Sequence, residues 1–103
     1  MPAEFAFTAQ AREDIRDIFE FLLAENPRAA DAVLTRFDVA VERLCDHPHI
    51  GPLAPETGSS SLRRLSIHPY VIYYSASDDL IRIMRILHAA RSVDSTVFEA
   101  FFK

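Results

Sequence analysis

The sequence predicts an α+β domain in which an N-terminal helical hairpin packs on a small, mainly antiparallel sheet. Two observations carry this prediction. Apolar residues recur at helical spacing up to about position 46, and the stretch from Leu62 to Arg91 then holds three apolar, β-branched or aromatic runs separated by short turn-type segments. The predicted element order is β-α-α-β-β-β-α. We expect the 103 residues to form a single domain, 1–103, large enough to bury a core without disulfides or a metal.

The first strand and the two helices are marked by signals at their ends. Phe5 and Phe7 alternate with Glu4 and Ala6, which predicts a brief strand, and Thr8 is a suitable N-cap for the first helix. Asn26-Pro27 ends that helix and begins the second at once, because proline disfavours α geometry in the preceding residue and suits the first turn of a helix. The second helix is expected to run to about residue 46, and the near absence of a linker predicts an antiparallel hairpin.

A loop, a meander and a last helix are expected to follow the hairpin. Residues 46–61 hold three of the six prolines and both glycines, so we expect a surface loop, either functional or a plain connection. His68-Pro69 and the segment from Ser75 to Asp79 separate three strands. Asp94 or Ser95 can cap a short C-terminal helix, which must dock on the domain because it is too short to be stable alone.

Composition excludes several classes of protein. Cys45 is the only cysteine, so no internal disulfide can form, and its position on the apolar face of the second helix predicts a buried, inert thiol. His47 and His49 offer at most two metal ligands, so we expect no metal and no other cofactor. No apolar run reaches the roughly 18 residues of a membrane span and the N-terminus lacks a signal core, which predicts a soluble, cytoplasmic protein without a membrane partner.

The charge is distributed unevenly between the two halves of the chain. Residues 1–61 carry 5 Arg against 11 Asp and Glu, a net charge of −6, whereas residues 62–103 carry 6 basic and 4 acidic residues, a net charge of +2. Nucleic-acid binding normally needs a strongly basic face, so we do not expect this chain alone to bind DNA sequence-specifically. The basic second half leaves room for a local arginine site.

Four side chains offer chemistry for cleaving RNA without a metal, which needs proton transfer and cations that stabilise the phosphate. They are Arg64, Arg85, His88 and Arg91. We expect His88 to satisfy nearby backbone groups at the end of its strand. Arg85 is expected to lie over one face of the sheet and to pair with a helix carboxylate, since it shares strand parity with Ile81, Ile83 and Leu87. Arg91 follows the strand, and a functional role and a plain surface role are both open for it.

Other polar and aromatic groups have structural interpretations. Tyr70, Tyr73 and Tyr74 are expected to pack within the sheet, since both faces of its strands must be covered. The acidic cluster of the first helix is expected to form its solvated side; it consists of Glu13, Asp14, Asp17 and Glu20.

Five stretches carry a resemblance to a known family. They are the AREDIRDI helix, the NPRAADAVLTRF helix, the HPHIGPLAPE loop, the LRRLSIHPYVIYY hairpin and the RILHAAR strand end. In order and spacing the chain resembles the RelE/ParE superfamily of type II toxins over nearly its whole length, and it is most similar to the ParE branch. The most specific parts of the match are the proline-glycine loop and the ending from Leu87 to Arg91.

The resemblance also bears on the site. In the ribonuclease branch, an arginine on the second strand of the meander, another after the third strand and a tyrosine near the C-terminus contribute to catalysis. Arg91 matches the second of these and Arg64 lies near a position that is basic in those relatives, but the other two places hold Val71 and either Val97 or Phe98. These apolar side chains can neither donate nor accept a proton.

The resemblance therefore favours the ParE function. It implies a toxin, associated with plasmid stabilisation, that binds and poisons DNA gyrase without being an enzyme itself and is neutralised by a ParD-like antitoxin. The alternative is a RelE-like, ribosome-dependent and metal-independent mRNA endoribonuclease with Arg64, His88 and Arg91 as candidate catalytic residues.

Surplus aromatic residues indicate a surface for the antitoxin. Phe21 lies off the apolar stripe of the first helix, and three phenylalanines crowd the short C-terminal helix, namely Phe98, Phe101 and Phe102. We expect an amphipathic antitoxin segment to bind in a groove between the hairpin and the sheet, as the resemblance also implies. The alternative is that the terminal phenylalanines complete the core of the domain.

Overall fold

The computed structural model describes residues 3–101. The strands and helices are β1 (Glu4–Phe7), α1 (Ala9–Glu25), α2 (Pro27–Asp46), β2 (Arg63–Ile67), β3 (Tyr70–Ala76) and β4 (Leu80–His88). Two 3-10 helices occupy Pro55–Thr57 and Ser95–Phe101. The predicted order of strands and helices is confirmed, but the last element is a 3-10 helix and not the α-helix that the sequence predicted. Neither α-helix within residues 3–101 combines the length and apolar character needed to cross a membrane.

The four strands form one mixed sheet in the order β1-β4-β3-β2. β1 runs parallel to β4, whereas β4, β3 and β2 pair antiparallel. Met84 is an extra residue in β4, because Tyr73 lies opposite Arg85 and Tyr74 lies opposite Ile83. This bulge reverses the parity of the strand. Arg85 keeps the parity of Leu87, but the expectation that it also shares a face with Ile81 and Ile83 was wrong.

Each face of the sheet is covered by a different part of the chain. On one face, the helices contribute a helix-side core that packs on the sheet; its members include Ala11, Phe37, Val41, Leu44, Tyr70, Ile72, Tyr74, Ile81, Ile83 and Ile86. On the other face, the loop after α2 and the C-terminal 3-10 helix cover a back-side core formed by Ala54, Leu62, Tyr73, Met84, Leu87 and Phe98. All three tyrosines are buried in the sheet, as predicted.

Both helices begin at the predicted caps. The Thr8 hydroxyl accepts a hydrogen bond from the Ala11 amide at 3.1 Å and donates one to the Met84 carbonyl at 2.7 Å, which ties the start of α1 to β4. The Asn26 side chain accepts from the amides of Arg28 and Ala29 at the start of α2. Each cap satisfies amides that the first turn of a helix leaves free.

The loop between α2 and β2 is fixed to the sheet by backbone and side-chain hydrogen bonds. The Gly51 amide donates to the Tyr74 hydroxyl at 3.0 Å, and the Arg63 guanidinium donates to the Gly51 carbonyl at 2.8 Å. The Arg64 amide donates to the Pro52 carbonyl at 3.0 Å. The segment is irregular, as predicted, and its hydrogen bonds hold it along β2.

Cys45 is buried near the end of α2, as predicted. Burial raises the pKa of its thiol, and the carboxylates of Asp46 and Glu42 raise it further. Because the thiolate is the reactive form, we expect a water-soluble thiol reagent to modify native Cys45 at least about tenfold more slowly than Cys45 in the unfolded chain. Labelling followed by mass spectrometry measures both rates, and equal rates would contradict the burial.

Candidate functional site

Two of the candidate residues, Arg64 and Arg91, line one concavity of about 520 Å³ on the back of the sheet. Arg64 and Ser66 of β2 lie opposite Tyr73 and Val71 of β3, and cross-strand partners point to the same face. Arg91 follows the end of β4. We call this site the arginine concavity; it is lined by Glu56, Arg64, Ser66, Val71, Tyr73, Ala89, Arg91 and Val93.

The two arginines differ in their charge environment. Arg64 forms an ion pair and hydrogen bond with Glu56 of the 3-10 helix Pro55–Thr57, and its side chain is 46% exposed. Arg91 is exposed, and no carboxylate of residues 3–101 lies within ion-pair distance of its guanidinium. The arginine concavity is therefore lined by one neutralised and one unneutralised cation, together with the apolar side chains of Val71 and Val93.

The arginine concavity offers little proton-transfer chemistry. Burial raises the pKa of Tyr73, the nearby Glu56 carboxylate raises it further and Arg64 opposes the shift. The Tyr73 hydroxyl is therefore protonated at neutral pH. Glu56 is already engaged with Arg64.

His88 lies on the opposite face of the sheet from the arginine concavity. It pairs with Tyr70, whose ring belongs to the helix-side core, and the two ring centroids are 5.7 Å apart in an edge-to-face arrangement. His88 Nδ1 accepts a hydrogen bond from the Ala90 amide at 3.0 Å, so the predicted backbone role is confirmed. The structure does not bring His88 together with Arg64 and Arg91.

Arg85 also lies outside the arginine concavity. Its guanidinium donates two hydrogen bonds to the Asp14 carboxylate, at 2.7 and 2.8 Å, which confirms the predicted pairing with a helix carboxylate. Asp14 also accepts from the Ile86 amide at 3.0 Å. The expectation that Asp14 is solvated was wrong, since β1 pairs with β4 only as far as Ile83 and Asp14 covers the edge of β4 beyond it.

The aromatic candidates for antitoxin binding divide into buried and exposed residues. Phe98 is fully buried and packs edge-to-face on Tyr73, with ring centroids 5.2 Å apart, so it cannot offer exposed contact surface. Phe101 is partly buried against the same core, and Phe102 lies outside the described residues. Phe98 thus completes the core, as the alternative interpretation held. Phe21 is 64% exposed on α1.

Glu56 and Ser66 belong to the site but were not among the residues predicted for it. Glu56 lies in an irregular loop whose path has no periodic signal, and it reaches Arg64 only because the loop runs along β2. Ser66 shares the strand parity of Arg64, so the predicted strand contained the information that both residues lie on one face.

A two-helix hairpin on a four-stranded mixed sheet is the architecture of the small toxins of the RelE/ParE superfamily. Residues 5–93 match the model of one of its families, the ParE toxin of the type II toxin-antitoxin system parDE, and the chain belongs to this family. It is thus a toxin of a type II toxin-antitoxin system. The resemblance and the fold class predicted from the sequence are both confirmed.

Individual relatives carry names from both branches of the superfamily. The chain is 37% identical over 90 residues to Toxin RelE2 of Caulobacter vibrioides. This alignment covers 86% of this chain and 98% of that protein. The toxin-antitoxin complex RelBE2 from Mycobacterium tuberculosis contains a similar chain, with a TM-score of 0.61, 25% identity and coverage of 85% of this chain and 99% of that one. A chain of the chromosomal ParDE system from P. aeruginosa has the same fold, with a TM-score of 0.69 at 19% identity, and the match covers 84% of this chain and 95% of that one.

Proposed function

We propose that this toxin binds and poisons DNA gyrase in the cytoplasm, and that a cognate ParD-like antitoxin neutralises it. The observation that carries the proposal is the composition of the arginine concavity. Arg64 and Arg91 line it together with the apolar side chains of Val71 and Val93, and the described residues that line it include no free general base. Such a surface is suited to binding a protein rather than to catalysis.

The energetics of the two candidate functions differ. A positioned general acid or base contributes about 10²–10⁴-fold to a rate. In this chain His88 is on the other face, Glu56 is paired with Arg64, and Tyr73, whose pKa is raised, is not a base at neutral pH. An arginine beside apolar side chains is, by contrast, a common centre of binding energy at protein interfaces. The site therefore supports gyrase binding better than RNA cleavage.

The antitoxin part of the proposal is supported by the relatives, since the RelBE2 structure from M. tuberculosis is a toxin-antitoxin complex. On this chain Phe21 of α1, 64% exposed, presents an apolar ring to solvent. An amphipathic segment can cover this side chain. A role in plasmid stabilisation belongs to the same proposal.

The second candidate function is that of a ribosome-dependent mRNA endoribonuclease. It is favoured by the 37% identity to a protein called Toxin RelE2. The exposed guanidinium of Arg91 is also a suitable phosphate ligand. In that case catalysis depends on Arg64 and Arg91 without the help of His88.

Expression of the chain without its antitoxin is expected to arrest growth, and the purified toxin to block supercoiling by the host's own gyrase. Arg91→Ala should weaken this inhibition roughly thirtyfold, because an arginine at the centre of an interface contributes about 2 kcal/mol. A supercoiling assay beside a ribosome-dependent mRNA cleavage assay measures both activities.

The matched control is Arg82→Ala, which removes another exposed arginine, on β4 and outside the arginine concavity. It should leave inhibition unchanged. Unaltered supercoiling together with cleaved messages, abolished by Arg91→Ala in a folded variant, would instead establish the ribonuclease. Co-expression of the neighbouring gene should restore growth if that gene encodes the antitoxin.

A further inference from the structure

A second groove, of about 330 Å³, lies between α2 and the outer edge of β2. We call it the edge groove. None of the residues that line it carries a carboxylate; its polar members include Arg36, Arg43, Ser66 and His68, beside the half-exposed Val39. The edge groove is therefore cationic, although residues 1–61, which include α2, are acidic as a whole, with 5 Arg against 11 Asp and Glu.

The charge of the edge groove follows from how α2 sorts its side chains. Asp38, Glu42 and Asp46, spaced four residues apart, line the pockets on the β1 side of the helix. Arg36 and Arg43, seven residues apart, line the edge groove on the β2 side. No carboxylate of residues 3–101 forms an ion pair with either arginine. The two flanks of one helix therefore carry opposite charge.

In the edge groove, one residue on the outer edge of β2, Ser66, has unpaired backbone groups. β2 is the last strand of the sheet, and the Arg64 amide points outward, where it donates to the Pro52 carbonyl. Alternate residues of an edge strand direct their backbone groups to the same side, so Ser66 presents its N–H and C=O outward as well. No backbone group of residues 3–101 pairs with Ser66 on that side.

We propose that the edge groove binds an extended, acidic peptide segment that pairs with β2 at Ser66 as a fifth strand. Its carboxylates contact Arg36 and Arg43, and its backbone completes the edge of the sheet. The proposal rests on the proposed function in one respect only, namely that the antitoxin supplies this segment.

The occupant is a peptide and not a nucleic acid, for two reasons. On this side Ser66 offers one backbone donor and one backbone acceptor, which another strand matches and a phosphate chain does not. The acidic flank of α2 and the chain's net charge of −4 repel a long polyanion, whereas a short acidic segment meets only the basic flank.

The positions of the arginines set the length of the segment. Seven residues of helix separate Arg36 from Arg43 by about 10 Å along the axis, which an extended chain spans with about three to four residues. Ser66 lines both the edge groove and the arginine concavity. A segment bound at Ser66 therefore lies at the border of the arginine concavity, the surface proposed to contact gyrase.

The test measures the fluorescence anisotropy of a labelled peptide of about ten residues, alternating glutamate and threonine, titrated with the full chain. Binding is expected, and Arg36→Glu with Arg43→Glu should weaken it at least about tenfold. The matched control, Arg12→Glu with Arg16→Glu, reverses two exposed arginines of α1 and should leave the affinity unchanged. The neutral pair Arg36→Gln with Arg43→Gln should give an intermediate loss, and circular dichroism checks that each variant folds.

Two further probes separate strand pairing from simple charge attraction. The same peptide with alternate backbone amides methylated keeps its carboxylates but cannot pair, so its affinity should fall at least about tenfold. Equal affinity of both peptides, or equal losses in the test and control variants, would overturn the proposal. Binding of a short single-stranded oligonucleotide that depends on Arg36 and Arg43, without peptide binding, would assign the groove to nucleic acid. These assays contain neither gyrase nor ribosomes, so a failure of the proposed target leaves their outcome intact.

Discussion

Asp14→Ala is expected to lower the free energy of unfolding by about 3 kcal/mol, because it leaves a largely buried guanidinium without its partner. The side chains of Arg85 and Asp14 are only 16% and 12% exposed. The Asp14 carboxylate accepts both guanidinium hydrogen bonds and the Ile86 amide, so its removal leaves several donors unsatisfied at once. Hydrogen bonding to Asp14 is also the main reason that the pKa of Arg85 is raised. Urea unfolding followed by circular dichroism measures the loss.

Two further variants make this prediction specific. Asp17→Ala removes an exposed carboxylate from the same helix and should cost less than about 0.5 kcal/mol. Adding Arg85→Met to Asp14→Ala should recover most of the loss, since an apolar side chain of similar length no longer needs a charged partner. If Asp14→Ala costs no more than Asp17→Ala, the pair does not hold α1 against β4 as described.

Asp14 also illustrates what helix periodicity can and cannot predict. Its position next to Glu13 and near Asp17 indicated the solvated side of a helix, and within an isolated helix that interpretation is correct. Its burial depends on where β1 stops and on the bulge at Met84, both of which are properties of strand pairing. Those features are set by contacts between distant parts of the chain, which local spacing does not record.

The elements with local signals were predicted well. The caps at Thr8 and Asn26 and the end of α2 at Asp46 depend on neighbouring residues, and the structure has them where the sequence placed them. The C-terminal segment was predicted less well. It forms a 3-10 helix over the back of the sheet. Its position depends on the packing of Phe98 against Tyr73, a contact between distant residues that local sequence signals do not record.

The candidate site was predictable only in part for the same reason. Arg64 and Arg91 were recognised as candidates from residue type and position, and the structure brings them to one concavity. The exclusion of His88 required the register of β3 and β4, which places it opposite Tyr70 on the helix side. The inclusion of Glu56 required the path of the loop along β2.

That path depends on Gly51, and Gly51→Ala is expected to destabilise the fold by about 3 kcal/mol, the upper part of the range for overpacking. A Cβ atom at this position would lie 2.2 Å from the Arg64 carbonyl oxygen and 2.8 Å from the Tyr74 hydroxyl. The first of these is a backbone atom of β2, which cannot move without disturbing the sheet. The loop must therefore leave β2, and the Gly51 hydrogen bonds to Tyr74 and Arg63 are lost with it. Thermal and urea unfolding measure the effect.

Tyr74→Phe distinguishes the two possible sources of this strain. Alone it removes the acceptor of the Gly51 amide and should cost about 1–2 kcal/mol, since the buried amide is then unsatisfied. Combined with Gly51→Ala it removes the contact with the hydroxyl but leaves the contact with the Arg64 carbonyl, so we expect no rescue. Ser60→Ala, at an exposed position of the same loop, should change stability by less than about 0.5 kcal/mol. Restored stability in the double variant would show that the hydroxyl, and not the strand, excludes a side chain at Gly51; without rescue, the close approach of the loop to β2 is what holds Glu56 beside Arg64.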